Sequence, residues 1–366
     1  MKIDIKRLTV TYNNKVVGYL EDIGEGEIAF QYDVWWKQSG FPISPITLPL
    51  TDQVYISNNP YFKGLYAVFN DSLPDGWGEY LLRRKLLKIG INFDKISPLS
   101  RLSLINSSGL GALEYTPTQS DADIIDGLNL DDIYEKIRIQ TQDPLQNLYL
   151  DDLYKLGGAS GGARPKVHLK IDEIDWIIKF KAQMDPVDIG YEEYIANQLA
   201  KESGIDVAKF KLFPSKVTKG FFGSQRFDRV DGKKQHVISL AAILETTHKI
   251  SNLDYKHLFQ VIQKISVDKE DYYEAFRRMT FNVLYGNKDD HGKNHAFIYD
   301  EYKQGYVLSK AYDLTKTSEL LEHQMTVNGE GNPGIDDLMS IQRDMNLDRQ
   351  RCIQIIEHIK QVLGNK

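Results

Sequence analysis

Asn287-Lys288-Asp289-Asp290-His291-Gly292-Lys293-Asn294 sets an asparagine five positions after an aspartate, and Ala311-Tyr312-Asp313-Leu314-Thr315 offers a further acid downstream. Asp-x-x-x-x-Asn is a spacing that phosphoryl transfer uses. The aspartate accepts or orients the proton of an attacking hydroxyl, while the asparagine oxygen ligates a divalent cation without adding negative charge beside the phosphates. Such chemistry also needs an anionic metal ligand from a second segment, and Asp313 follows the apolar run Tyr306-Val307-Leu308. Asp289 is the expected base, and Asn294 and Asp313 are the expected ligands of Mg²⁺. Asp290 stays open as an alternative, because only the spacing to Asn294 favours Asp289.

Upstream lie the parts that would hold a nucleotide. Lys179 punctuates the apolar strand Trp176-Ile177-Ile178-Lys179-Phe180, and a buried ammonium is costly unless it meets an anion such as an ATP phosphate. Before it runs Gly157-Gly158-Ala159-Ser160-Gly161-Gly162-Ala163-Arg164-Pro165-Lys166. Four glycines let backbone N–H groups approach phosphate oxygens, with Arg164 and Lys166 adding charge at the rim. The loop is neither G-x-G-x-x-G nor a Walker A sequence, so a plain flexible turn is the competing reading. Gln225-Arg226-Phe227-Asp228-Arg229 lies where strands give way to helices. Adenine needs exposed backbone groups and an apolar wall, which Phe227 could supply if it is not core. His291 and His295 are four apart, but Gly292 between them breaks a helix and no Glu follows His291, so zinc is rejected.

At 366 residues the chain is long enough for two or three sub-domains. Charged residues make up 26% and hydrophobic residues 42%, which is ordinary globular usage. A formal net charge of -6 removes any general attraction to nucleic acid, so DNA contact requires a local basic patch or a basic partner. Cys352 is the single cysteine, which excludes an internal disulfide and reads as a buried thiol on the last helix. The start, Met1 to Arg7, lacks the apolar core of a signal peptide, and no later run is long enough to span a bilayer, so a cytoplasmic location is expected.

The alternation of residues 8–12 and 16–20 around Asn13-Asn14-Lys15 predicts an opening hairpin, and 28–32 adds a strand. Asp75-Gly76-Trp77-Gly78 leads into a helix over 79–87, and 111–115 reads as a strand. Residues 116–132, rich in Ser, Asp, Pro and Gly, read as a solvated connector. Strands are expected over 167–171 and 176–180, then a helix over 191–203 that Gly204 stops. Periodicity gives helices over 255–265, 270–285 and 347–363. The expected architecture is α+β: a strand-containing N-terminal part and a mainly helical C-terminal lobe, with segments 1–120, 121–228 and 229–366.

These residues resemble the HipA-like serine/threonine kinases, toxin components of bacterial toxin-antitoxin modules. Phe69-Asn70-Asp71-Ser72-Leu73-Pro74-Asp75-Gly76-Trp77-Gly78 and Gly109-Leu110-Gly111-Ala112-Leu113-Glu114-Tyr115 look like the family's N-terminal signatures. The loop at 161–166, Lys179, residues 225–229, 287–294 and 311–315 look like its nucleotide-site motifs. The resemblance implies a two-lobed protein-kinase-like fold that uses ATP and Mg²⁺. Asp289 would be the proton acceptor, Asn294 and Asp313 would hold metal, and Gly161, Gly162, Ala163, Arg164, Lys166 and Lys179 would meet phosphates. Gln225, Arg226 and Phe227 would contact adenine, with His291 and Lys293 completing the ATP set. It further implies a protein substrate, in known cases an aminoacyl-tRNA synthetase. The implied partner is a small helix-turn-helix antitoxin, with DNA contacted only through that partner. Family members commonly carry a regulatory serine in the glycine-rich loop. Here Ser160 is the loop's hydroxyl, and the register can set Ala159 on the family position. Either Ser160 replaces that serine one residue along as an autophosphorylation site, or self-inactivation is absent, or the alanine was introduced. A nucleotide-binding module that docks an antitoxin, and a small-molecule kinase of aminoglycoside type, are the competing functional readings.

Overall fold

Asn13 and Asn14 both take left-handed backbone, with φ of 44° and 65°, which asparagine tolerates better than most residues. They join β1 (Arg7–Tyr12) to β2 (Lys15–Gly24), and β3 (Glu27–Tyr32) follows. The opening hairpin and third strand read from the sequence are thus present. With β4 (Tyr55–Ser57) and β5 (Leu113–Thr116) they form an antiparallel sheet in the order β4-β3-β2-β1-β5. The computed structural model describes residues 4–105, 109–119, 129–143, 147–158 and 160–364. Most of the connector expected over 116–132, and Ala159, lie outside the described residues.

The chain divides into two units, one made of Met1–Tyr191 with Lys211–His236 and the other of Glu192–Phe210 with Val237–Lys366. In the first unit the helices are α1 (Val34–Ser39), α2 (Ala67–Asn70), α3 (Gly76–Lys88), α4 (Pro98–Leu102), α5 (Leu130–Gln142) and α6 (Leu150–Gly157). Its second sheet has the order β6-β7-β9-β8, from β6 (Lys166–Ile171), β7 (Ile174–Lys179), β8 (Phe210–Phe213) and β9 (Phe221–Gln225). β10 (Arg229–Val230) and β11 (Lys233–Lys234) make a small hairpin. Helices α3, α5 and α6 share one core with this second sheet: Trp77, Leu81, Leu82 and Leu86 of α3 meet Ile133 and Ile137 of α5, Leu153 of α6, and Val167, Trp176 and Ile178 of the strands. Burying these side chains stabilises the unit by about 1.5–3 kcal/mol each relative to exposure.

Helices α5 and α6 are among those that were not expected. Asp131 and Asp132, read as connector, begin α5, where the Asn129 side chain caps the N–H of Asp131 and two carboxylates complement the helix dipole. The apolar spacing of Leu130, Ile133 and Ile137 outweighs the acidic composition that suggested a loop. α6 extends to Gly157, so the glycine-rich turn starts as a helix end.

The second unit holds α7 (Ile189–Glu202, its first residues in the other unit), α8 (Leu240–Ile243), α9 (Tyr255–Ile265), α10 (Glu270–Tyr285), α11 (Ile335–Asp344) and α12 (Arg349–Gly364). Gly204 ends α7 in left-handed backbone as expected, with Ile205 N–H donating to the Ala200 carbonyl. Cys352 is fully buried on α12, as read. The helical expectation missed part of a sheet: β12 (Val237–Ser239), β14 (Ala296–Asp300) and β15 (Gly305–Leu308) pair in the order β12-β14-β15, while β13 (Leu253–Asp254) pairs with β16 (Met325–Thr326). These strands are short and flanked by turns, so their alternation is weak in sequence. The fold is α+β.

Candidate phosphoryl-transfer site

Helix α10 stops at Gly286, whose φ of 84° is left-handed; the N–H groups of Gly286 and Asn287 both donate to the Asn282 carbonyl at 3.0 and 2.9 Å. This stop delivers the chain into residues 287–294. There the two adjacent aspartates part company. Asp290 is fully buried. Its Oδ2 accepts from the Tyr255 hydroxyl at 2.8 Å and from His323 Nδ1 at 2.9 Å, and its Oδ1 accepts from the N–H groups of Gln324 and Met325. Asn282 Nδ2 donates to the same Tyr255 hydroxyl, and Asn287 Nδ2 to Asn282 Oδ1. Asp289, by contrast, has a side chain 54% exposed.

Asn294 donates from Nδ2 to the Asp289 carbonyl at 2.7 Å, which fixes the amide and turns Oδ1 the other way. The turn that holds it is anchored by the Asn294 N–H on the His291 carbonyl and by the Gly292 carbonyl accepting from the Ala241 N–H. A Cβ at Gly292 would overlap the Leu253 side chain. His291 sets Nε2 3.9 Å from Asp289 Oδ1, and its ring packs on His248. The His295 ring instead packs on Tyr255, and burial with nearby Arg278 holds its pKa down at about 3. The two histidines weighed for zinc therefore face different partners.

Asp313 takes left-handed backbone, φ 53°, an unusual conformation for a non-glycine residue. The residues before it are pinned to the end of α7's connection: the Ala311 N–H donates to the Asp206 carbonyl at 2.8 Å, and the Ala208 N–H to the Ala311 carbonyl. Tyr312 donates its hydroxyl to the Lys293 carbonyl, and Thr317 N–H donates to the Gly286 carbonyl at 3.0 Å. The segments of Asp289, Asn294 and Asp313 are thereby tied together within one unit. Asn294 and Asp313 carry oxygen donors of the hard kind that Mg²⁺ takes.

In the other unit, Lys166 and Lys179 are direct partners across β6 and β7, and only 7% and 9% exposed. Direct cross-strand partners project from the same face of a sheet, so the two side chains share one end of it. A Cβ on Gly162 would lie 2.7 Å from Lys166 Nζ, so this ammonium sits against the glycine-rich loop. The Arg164 guanidinium is engaged by Asp185, with Nε donating at 2.9 Å. Ser160 is buried, its hydroxyl donating to the Gly157 carbonyl at 2.5 Å. Gly161 and Ala163 are exposed.

Gln225 ends β9 opposite Trp176, and the next N–H, of Arg226, donates to the Asp175 carbonyl. The Arg226 guanidinium is turned inward. It donates from Nε and Nη2 to Asp228 at 2.9 and 2.6 Å, and from Nη2 to the Gly109 carbonyl, while Arg229 also reaches Asp228 and the Gly111 carbonyl. Burial alone would raise the Asp228 pKa; the two guanidiniums outweigh it and bring it to about 2. Phe227 between them is half-buried.

A family model described as HipA-like C-terminal domain matches residues 158–365, and one described as HipA N-terminal domain matches residues 8–116. The chain belongs to the HipA-like kinase family. The serine/threonine-protein kinase toxin HipA of Shewanella oneidensis is 24% identical over 367 residues, covering 86% of this chain and 79% of that protein. Y4dM of Sinorhizobium fredii is 27% identical over 164 residues, which span 41% of this chain and 39% of that one. The HipA-like fold is seen directly in the solved HipA chain of a Shewanella oneidensis HipA, HipB and operator DNA complex: TM-score 0.73, 20% identity, 98% of this chain and 90% of that one covered.

Three features of this HipA-like chain escaped the sequence reading. Asp290 acts as a buried anchor, His323 and Tyr255 are its partners, and Asp75 to Gly78 form the bed of the glycine-rich loop. Only the last left a visible signal, in the dense Gly and Asp of that turn. No helix among the described residues is long and apolar enough to cross a membrane.

Proposed function

We propose that this chain is an ATP-dependent serine/threonine protein kinase that acts as the toxin of a toxin-antitoxin pair, with Asp289 as the base. The observation that carries this reading is the contrast between Asp290, buried and saturated with four hydrogen-bond donors, and Asp289, whose side chain is exposed and whose carbonyl accepts from the Asn294 amide. Asp289 takes the proton of a substrate hydroxyl as its oxygen bonds to the γ-phosphorus, and the bond to the bridging oxygen of the departing ADP breaks. Asn294 and Asp313 would hold Mg²⁺, which when bound neutralises phosphate charge. Lys166 and Lys179 draw the phosphates to the sheet end, and the loop amides of 161–163 cradle them. His291 and Lys293 flank the same turn, and the backbone of Gln225 to Phe227 receives the adenine.

A protein substrate and a small helix-turn-helix antitoxin complete the proposal. The solved HipA relative is complexed with HipB and operator DNA, and a net charge of -6 favours DNA contact through a partner rather than directly. Incubation with labelled ATP, Mg²⁺ and a bacterial lysate is expected to label protein bands. Labelling that persists in Asp289→Ala, or that appears on a small metabolite instead, would overturn the assignment.

A further inference from the structure

The turn Asp75-Gly76-Trp77-Gly78 has no place in phosphate chemistry, yet it touches the phosphate loop along most of its length. Asp75 Oδ1 accepts the Gly162 N–H, and the Trp77 N–H donates to the Gly162 carbonyl at 2.9 Å. Gly162 is thus bracketed on both sides of its own residue. Close packing surrounds that bracket. A Cβ on Gly76 would overlap the Gly162 carbonyl, one on Gly78 would overlap the Ser160 carbonyl and the Pro74 ring, and one on Gly157 would overlap the Lys166 carbonyl. Bed and loop belong to one unit and meet at backbone distance, which only glycines on both sides allow.

We propose that Asp75 is a positioning residue for the phosphate loop, latching Gly162 onto the N-terminus of α3 so that the loop is ordered before nucleotide arrives. A glycine-rich segment loses more conformational freedom on ordering than any other, and that cost would otherwise fall on ATP binding. The latch places the cost on folding instead. Asp75 works through a directional hydrogen bond, so its charge is secondary: the amide oxygen of Asn accepts the same N–H. The proposal rests on the kinase reading for its functional arm only.

Full-length Asp75→Ala, Asp75→Asn and Gly78→Ala chains test it by two measurements, hydrogen–deuterium exchange of the peptide over residues 160–164 and the split of ATP KM from kcat. Asp75→Ala is expected to speed exchange about tenfold and raise the ATP KM about tenfold, with kcat within about twofold. Asp75→Asn is expected to stay within about threefold of the parent in both. Gly78→Ala should repeat the Asp75→Ala pattern even though alanine is the better helix former, because it fills the bed. Unchanged exchange in Asp75→Ala, a lowered ATP KM, or Asp75→Asn as impaired as Asp75→Ala would each overturn the latch. If the parent chain binds no ATP, the kinase reading falls, while the exchange measurement still decides the latch.

Discussion

His323 Nδ1 lies 2.9 Å from Asp290 Oδ2, with both side chains almost wholly buried, so a segment downstream of Asp313 is fastened to the residue next to Asp289. The same carboxylate accepts from Tyr255 of α9 and from two backbone N–H groups. It therefore fixes where residues 287–294 stand. The Asp289 side chain is instead 54% exposed, so water can solvate its carboxylate.

From this follows a double dissociation. Asp290→Ala strands four donors in a dry site and is expected to cost about 3–5 kcal/mol of stability. Asp289→Ala is expected to change stability by less than about 0.5 kcal/mol and to reduce phosphoryl transfer by about 10²–10⁴-fold. Urea unfolding and ATP labelling on the two variants measure both. Equal stability in the two variants would show that the Asp290 hub is not the anchor described.

Lys166 and Lys179 face each other across the strand pair, so each is expected to contribute to one anion site. Mg-ATP at a hundredfold excess over Kd should stabilise the parent by about 2.7 kcal/mol. Lys179→Met and Lys166→Met are each expected to weaken ATP at least about tenfold, which removes about 1.4 kcal/mol of that gain. Thermal shift against ATP concentration reads this directly. A full shift in both variants would move the phosphate site elsewhere.

Acid should destabilise the protein in two steps. Burial holds the His236 ring uncharged, with a pKa of about 4 despite its hydrogen bond to the Ile43 carbonyl. Below about pH 6.5 the unfolded chain takes a proton that the native ring refuses, so stability is lost as pH falls from about 6.5 to about 4. That loss is on the order of 3 kcal/mol, and His295, at about 3, prolongs the same slope. Asp228 acts lower down: its folded pKa of about 2 lies under the ordinary value, so its stabilisation is complete above about pH 4 and fades as pH falls toward 2. Urea midpoints across pH 3–8 should fall toward acid, and His236→Gln should flatten the upper step. An unaltered slope in that variant would assign the step to other groups.

The strand and helix periods were legible in the opening hairpin, α9 and α10, but not in α5, α6 or α11, where acidic residues mask the apolar spacing. The candidate segment could be picked out because Asp289, Asn294 and Asp313 lie on two short stretches, the first of which is a local turn. What the sequence could not show is long-range. Nothing local to Asp290 announces His323, and Arg226, chosen for adenine by its neighbours, directs its guanidinium to Asp228 and Gly109 because a buried carboxylate two residues on demands it. The bed at Asp75 was visible as a turn, but its occupant lies 87 residues away.

Ser160 is closed off in the docked loop. Its hydroxyl donates to the Gly157 carbonyl, its side chain is only 2% exposed, and its carbonyl packs on Gly78. A phosphate on that oxygen would bring roughly two negative charges and three acceptors into a space already filled. The docked loop has no room for it. Modification of Ser160 therefore requires the loop to leave its bed, and a modified loop cannot return. Ser160→Asp is expected to raise exchange over residues 160–164 and to lower ATP labelling about tenfold or more, since an acid there also repels phosphate. Ser160→Ala loses one hydrogen bond, about 1 kcal/mol, and should keep ATP binding. If Ser160→Asp labels protein as well as the parent does, Ser160 has no regulatory role, and the loop can accommodate an anion while docked.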